Sequence, residues 1–352
     1  MRALLALLLA SSAAAAEEIR IELFRGRPSA RVEGELFDAA GARFERAVHR
    51  VEARGGTLLV DGQAVSPPVA ASAPHVDGRE LPGRVEAFAD AGGLVVVNAV
   101  DLEDYVASVV AAEVPSSWPE AALQAQAVAA RTFAVAQKIA QGPAARAHLG
   151  ASVLDQVYGG SPSAPAARAA ARATSGEVLT FGAAPIAAYF SASCGGKSES
   201  AEDAFHLDAG TTPYLVSRGD EGDADRPWTV RRSFADLSAA LRKAGRLLAP
   251  VTGLAVASRT PSGRAKSLRL DTGAGPRTLP AVELRQILGY SALPSLLFEV
   301  RVEGGRAVFR GRGSGHGVGL CQWGARSRAL RGEGYRGILA AYYPGAEIRR
   351  MY

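Results

Sequence analysis

Two cysteines, Cys194 and Cys321, are all that 352 residues supply. So small a number excludes a disulfide-built scaffold, and neither sits in the close CxxC spacing on which zinc knuckles and ribbons depend. Histidine is scarce too, with five residues and no HxxxH pair, so no metal and no other cofactor is expected. Beyond the N-terminus no apolar run approaches the roughly 18 residues that suggest a membrane helix, and no stable span is expected. Charge of one sign is also lacking: 40 Lys and Arg stand against 35 Asp and Glu, leaving a net +5 and a pI near 9.4. The excess is mild, scattered and not interleaved with aromatics, which speaks against nucleic acid and leaves an anionic envelope polymer as the easier partner.

What is present suits a folded protein with room for two domains or one large one, at 48% hydrophobic and 21% charged residues. Arg2, an apolar run over 3–10 and then SSAAAAEE have the regions of a secretory signal. Residues 1–16 are therefore expected to be cleaved near 14–16, and the mature chain to act in a periplasm or an extracellular, cell-wall space.

Short apolar runs broken by Gly, Pro and Asp (IRIELF, ARVEGELF, VHRVEA, GTLLV, GRVEAFA, GGLVVVNA) make 17–97 a β-rich N-terminal region. Residues 98–352 mix helices and strands with neither an internal repeat nor a βαβ rhythm, so the expected class is α+β, with a mixed α/β catalytic core and a cleft. DLEDYVASVVAA reads as a helix opened by Asp101 and ended by Pro115. Ser117 and Glu120 form a capping box for a second helix, so rich in Ala, Val and Leu that burial is implied, running to about Gly142 and Pro143. Further helices are expected from Ser233 to about Lys243, over AVELRQILG and twice near the C-terminus. A hairpin is expected around Gly182.

Glu113 is the candidate catalytic acid. It falls at the end of the first helix, where unpaired carbonyls favour the protonated carboxyl that a general acid needs. On the second helix Gln124 and Arg131 share a face, while Gln126 lies roughly 200° from Gln124 at about 100° per residue. Arg131 reads either as a structural ion pair or a snorkelling cation, or as a group that orients substrate near Glu113.

GRGSGHGVGLCQWGA, at 311–325, places glycine at alternate positions with His316 at the centre. It is either a site loop or a buried glycine-rich turn. A dinucleotide frame fails because position 318 is Val, and a nucleophile elbow around Ser314 fails because 312 is Arg. YFSASCGGKSES offers Cys194 as a nucleophile activated by His316 or Lys197, an option that pairing with Cys321 or plain burial would remove. Zinc held by His316 and both cysteines is conceivable on ligand type alone.

AAEVPSSWPEAALQAQAVAARTFAV, DQVYGG, YFSASCGGKSES, GRGSGHGVGLCQWGA and ILAAYYPG together resemble, in order and wording, the sporulation stage II protein D family, also called the amidase-enhancer family. The resemblance covers roughly 98–352. It implies a lytic transglycosylase of peptidoglycan that prefers glycan strands stripped of stem peptides, with an N-acetylmuramoyl-L-alanine amidase as an implied partner. By motif position it makes Glu113 the catalytic acid. It puts Gln126, Arg131, Gln156, Tyr158, Ser191, Ser193, Lys197, His316 and Gln322 in or beside the cleft as substrate-positioning groups. Some members carry zinc on cysteines and histidines just before the segment matching DQVYGG; HLGASVLDQVYGG has His148 and no cysteine, so none is expected there. A role in sporulation does not follow from the resemblance.

Overall fold

The computed structural model describes residues 17–72, 74–151, 156–161, 164–220, 222, 227–246 and 248–352. The expected secretory leader lies outside them. The strand Glu18–Arg27 buries Ile19 and Ile21 on one face by strict alternation. It pairs antiparallel with Gly93–Asp101, whose unbroken LVVVNAV is buried on both faces. Arg84–Asp90 and Val69–Ser72 extend this sheet, and a second sheet has Ser29–Glu33, Val48–Arg54 and Thr57–Val60 at its centre.

Asp101 ends the long strand and begins helix α1, Leu102–Glu113, by accepting from the N–H groups of Glu103 and Asp104. Val114 is extended, at φ −136° and ψ 147°, as a residue before proline must be, so the helix stops at Glu113. The boundary expected between 97 and 98 thus falls inside one strand. One core joins Ile19, Val51 and Val96 to Tyr105 and Val109 of α1.

Helix α2, Glu120–Gln141, begins two residues later than a Ser117 cap would place it. Trp118 precedes a proline and is disfavoured in helix, so the chain makes a turn, with Trp118 N–H donating to Pro115 O, and the helix starts after Pro119. Gly142, at φ 78°, ends it. As its composition implies, α2 is buried on two sides. Ala127, Ala130 and Phe133 enter the first core, while Ala125, Val128 and Ala129 enter a second.

That second core also gathers Cys194, Val318, Leu320 and Cys321. After α3, Pro165–Ala173, the strand Glu177–Phe181 pairs with Glu347–Arg350, a C-terminal strand that the sequence pattern does not announce. Helix α4 is Ala201–Phe205, and α5, Phe234–Lys243, is capped by Ser233. Helix α6 is Ala281–Leu288, followed by α7, Gln322–Leu330, and α8, Tyr335–Tyr342. Between the two halves of the second core lies an inserted unit, residues 227–312, with two three-stranded sheets, α5 and α6. It surrounds its own core of Leu237, Leu254, Leu268, Leu284 and Phe309.

Candidate functional site

Glu113 is half-buried at the last position of α1, and both its carboxylate oxygens are held. Oε1 accepts from the backbone N–H of Val157 at 3.0 Å, and Oε2 accepts from Gln322 Nε2 at 3.2 Å. The same Gln322 nitrogen reaches Gln126 Oε1 at 3.4 Å, which uses the two hydrogens of one amide. Gln322 can do this because Leu320–Cys321 pairs in parallel with Phe190–Ser191 and delivers the chain to the start of α7. Gln126 is 1% exposed, and its Nε2 has no hydrogen-bond partner among the described residues. Just beyond Glu113, Trp118 packs edge-on against Trp323, with ring centres 4.9 Å apart. The carboxyl is therefore fixed in position by amides on both oxygens, and keeps further lone pairs with which to exchange a proton.

Of the other nine expected residues, Gln126 and Gln322 join Glu113, four are engaged elsewhere and three belong with the glycine-rich loop. Arg131 is fully buried and takes the structural alternative. Its guanidinium grips Glu103 through two bonds of 2.7 and 2.6 Å and donates also to the carbonyls of Glu177 and Ala171. Burial alone would raise the Glu103 carboxyl, but Arg131, Tyr352 and the Gly176 N–H outweigh it and hold it below its ordinary value. Gln156 is 1% exposed, accepting from Tyr105 OH at 2.8 Å and donating to Ala130 O. Tyr158 is buried and donates to Asn98 Oδ1 at 2.6 Å. The DQVYGG segment thus reaches Glu113 by the amide of Val157, between two side chains that face the core. Lys197 donates to Pro261 O at 2.8 Å, which ties it to the inserted unit.

Ser191, Ser193 and His316 build the glycine-rich loop. Ser193 and Ser314 exchange backbone bonds of 3.0 and 2.8 Å, and Ser191 Oγ accepts from Gly317 N–H. Glycine is required by close approach: a Cβ at Gly319 would lie 2.0 Å from Tyr189 O, and one at Gly315 would lie 2.6 Å from Ser191 Cβ. His316 Nδ1 accepts from Val318 N–H at 3.0 Å. Enclosure of its ring, with Arg285 and Arg264 nearby, pushes the imidazole down to about 4, so it is neutral at physiological pH. The loop amides of Arg312, Ser314, Gly315, Gly317, Val318 and Leu320 are all spent inside the fold. The loop is thus a turn hydrogen-bonded into the fold, with Ser314 exposed and His316 half-buried, and His316 serves there as the acceptor for Val318 N–H.

Sequence reasoning overlooked Arg264, which the inserted unit places beneath the loop. It is 3% exposed and donates to Cys194 O and Lys197 O, and a Cβ at Gly317 would lie 2.2 Å from its Nη2. Nearby, the buried Glu199 accepts from the hydroxyls of Thr260 and Ser262 at 2.6 and 2.8 Å. A lone arginine in the turn PSGRAK carries no spacing signal that could have announced this.

Both cysteines are free thiols, each 1% exposed. Cys194 N–H donates to Cys321 Sγ at 3.2 Å, and the Cys194 thiol faces Asp220 Oδ2, which also accepts from Tyr342 OH at 2.6 Å. The activators expected for a Cys194 nucleophile are engaged elsewhere, His316 Nδ1 with Val318 and Lys197 Nζ with Pro261. The neighbour of the two thiols is Asp220, with ligand atoms within 4.8 Å of one another, and His316 is not part of that cluster.

Fold and site define an α+β protein with one glutamate, at a helix junction, held by amides from two distant segments. Residues 90–181 match the family described as Stage II sporulation protein, and residues 216–319 match a domain of unknown function. The Stage II sporulation protein D of Bacillus amyloliquefaciens is 32% identical over 72% of this chain and 75% of its own length. An uncharacterized protein of Brachyspira hyodysenteriae is also 32% identical, over 72% of this chain and 68% of its own. The amidase enhancer of Bacillus subtilis is 28% identical over 67% of this chain, and the match covers 39% of that longer protein. The chain belongs to the Stage II sporulation protein D family. Among the described residues no helix is long and apolar enough to cross a membrane.

Proposed function

We propose that the protein is a lytic transglycosylase acting on peptidoglycan strands that have lost their stem peptides, with Glu113 as its single acid and base. The observation that carries this reading is the Glu113 carboxyl at the end of α1, held at both oxygens by Val157 N–H and Gln322 Nε2. Hydrolysis with two carboxylates needs a partner acid flanking the bond. One acid is enough when the nucleophile belongs to the substrate. Protonated Glu113 gives its proton to the oxygen linking N-acetylmuramic acid to N-acetylglucosamine, and the bond to the anomeric carbon breaks. Glu113 then takes the proton of the muramic C6 hydroxyl as that oxygen closes on the anomeric carbon. The products are a free N-acetylglucosamine end and a 1,6-anhydro end, and no water enters. Val157, Gln322 and Gln126 hold the carboxyl at one angle through both steps.

A second reading draws on the relative named as an amidase enhancer: a glycan-binding protein that stimulates a wall amidase without cutting. The two separate when stripped and intact peptidoglycan are digested in 18O water, with and without amidase. Transglycosylation yields unlabelled anhydro-ended fragments from stripped strands with no amidase present. Stimulation alone yields no glycan fragments, and hydrolysis would label the new reducing ends.

A further inference from the structure

Among the described residues the inserted unit supplies no group that bonds Glu113, yet its first strand brings Trp228 to a groove of about 530 Å3, within the range of small-molecule sites. The indole is fixed. Its Nε1–H donates to Gly313 O at 2.9 Å, and its six-membered edge lies over Gly311, where a Cβ would be 2.3 Å from Cζ2. Trp323, contributed by the core, also lines the groove and is half-buried. It follows Gln322, the residue bonded to Glu113, and its ring meets Trp118, so the groove and the Glu113 site share the start of α7.

The remaining lining is Ser193, Ser314, two prolines and small residues, with no ionisable side chain among the described residues. Two indoles beside hydroxyls suit a pyranose, which offers an apolar C–H face and a hydroxyl rim. The lining residues carry no ionisable side chain, although the Arg326 guanidinium lies 5.2 Å from the centre of the Trp323 ring, and this favours a sugar over an acidic peptide or a nucleic acid, which several cations would have to hold.

We propose that this groove is a sugar subsite, shared by the inserted unit and the core, in which Trp228 and Trp323 receive an uncharged N-acetylhexosamine of the same strand, away from the bond being cut. The assignment rests on the glycan reading above. It gives the inserted unit, which matches a domain of unknown function, the task of extending the strand's contact.

The test is calorimetric titration of Glu113→Gln, which keeps ligands intact, with stripped di-, tetra- and hexasaccharides, alone and combined with Trp228→Ala or Trp228→Phe. Trp228→Ala is expected to weaken the longer oligomers about tenfold and leave the disaccharide unchanged, while Trp228→Phe restores most of the loss. Unchanged affinity at every length, or equal loss at every length, overturns the subsite. If the unsubstituted protein neither binds nor cleaves stripped glycan, the glycan reading fails and takes the subsite with it. If it binds and cleaves while Trp228→Ala keeps full affinity, only the subsite fails.

Discussion

Gln322 Nε2 lies 3.2 Å from Glu113 Oε2, joining residues 209 positions apart in the chain. One amide thereby fixes the angle of the acid that the account depends on. Gln322→Leu removes a bond to the reacting group while leaving substrate contacts elsewhere. It is expected to lower kcat about ten- to a hundredfold with little change in KM. Steady-state kinetics on stripped glycan check this, and a rise in KM at constant kcat would make Gln322 a simple binding residue.

The Arg131–Glu103 pair predicts effects on stability. Glu103→Gln leaves a fully buried guanidinium with its carboxylate gone and is expected to cost about 3–5 kcal/mol, measured by denaturant unfolding. Arg131→Lys should also destabilise, since an ammonium cannot reproduce the two-pronged grip. Because Glu103 is held below its ordinary 4.5, its contribution is present above that pH and is lost as pH falls through the lower folded value. Unchanged stability with a raised KM in Arg131→Lys would return Arg131 to the substrate.

His316 acts in a higher pH window. It is neutral in the fold down to about 4, against 6.5 for an ordinary imidazole, so the unfolded chain binds the extra proton between these values. Stability is complete above 6.5 and declines toward 4, by at most about 3 kcal/mol on the linkage relation. Unfolding titrations of wild type and His316→Gln test this, and the variant should show a flatter slope between the two values.

The thiols predict silence. With both cysteines buried and free, brief alkylation of the native protein should label neither and leave activity intact, whereas denaturation should expose two. Loss of activity on native labelling would revive Cys194 as a nucleophile.

Local signals were legible wherever geometry is decided within a few residues. Asp101 and Pro115 bracket α1 and so put Glu113 at its end, and Ser233 opens α5 where a helix is expected to start. The Ser117 cap failed because a proline two residues later outweighs a hydroxyl. What lay beyond reach was decided by packing between distant segments. The sequence pattern singles out Arg131 and His316 as polar groups in apolar settings, but whether each faces a ligand or the core depends on Glu103 and Val318, which no spacing reveals. In the same way the strand Glu347–Arg350 needs Glu177–Phe181 as its partner, and the inserted unit is recognisable only by the separate core it encloses.

The most direct measurement compares wild type and Glu113→Gln, both purified and shown to be folded, on stripped glycan by mass analysis of the products. The substitution keeps the size and hydrogen-bonding capacity of the side chain but removes its exchangeable acid proton. The account predicts that the variant still binds the strand and releases no anhydro-ended fragments. Release at the wild-type rate would contradict it.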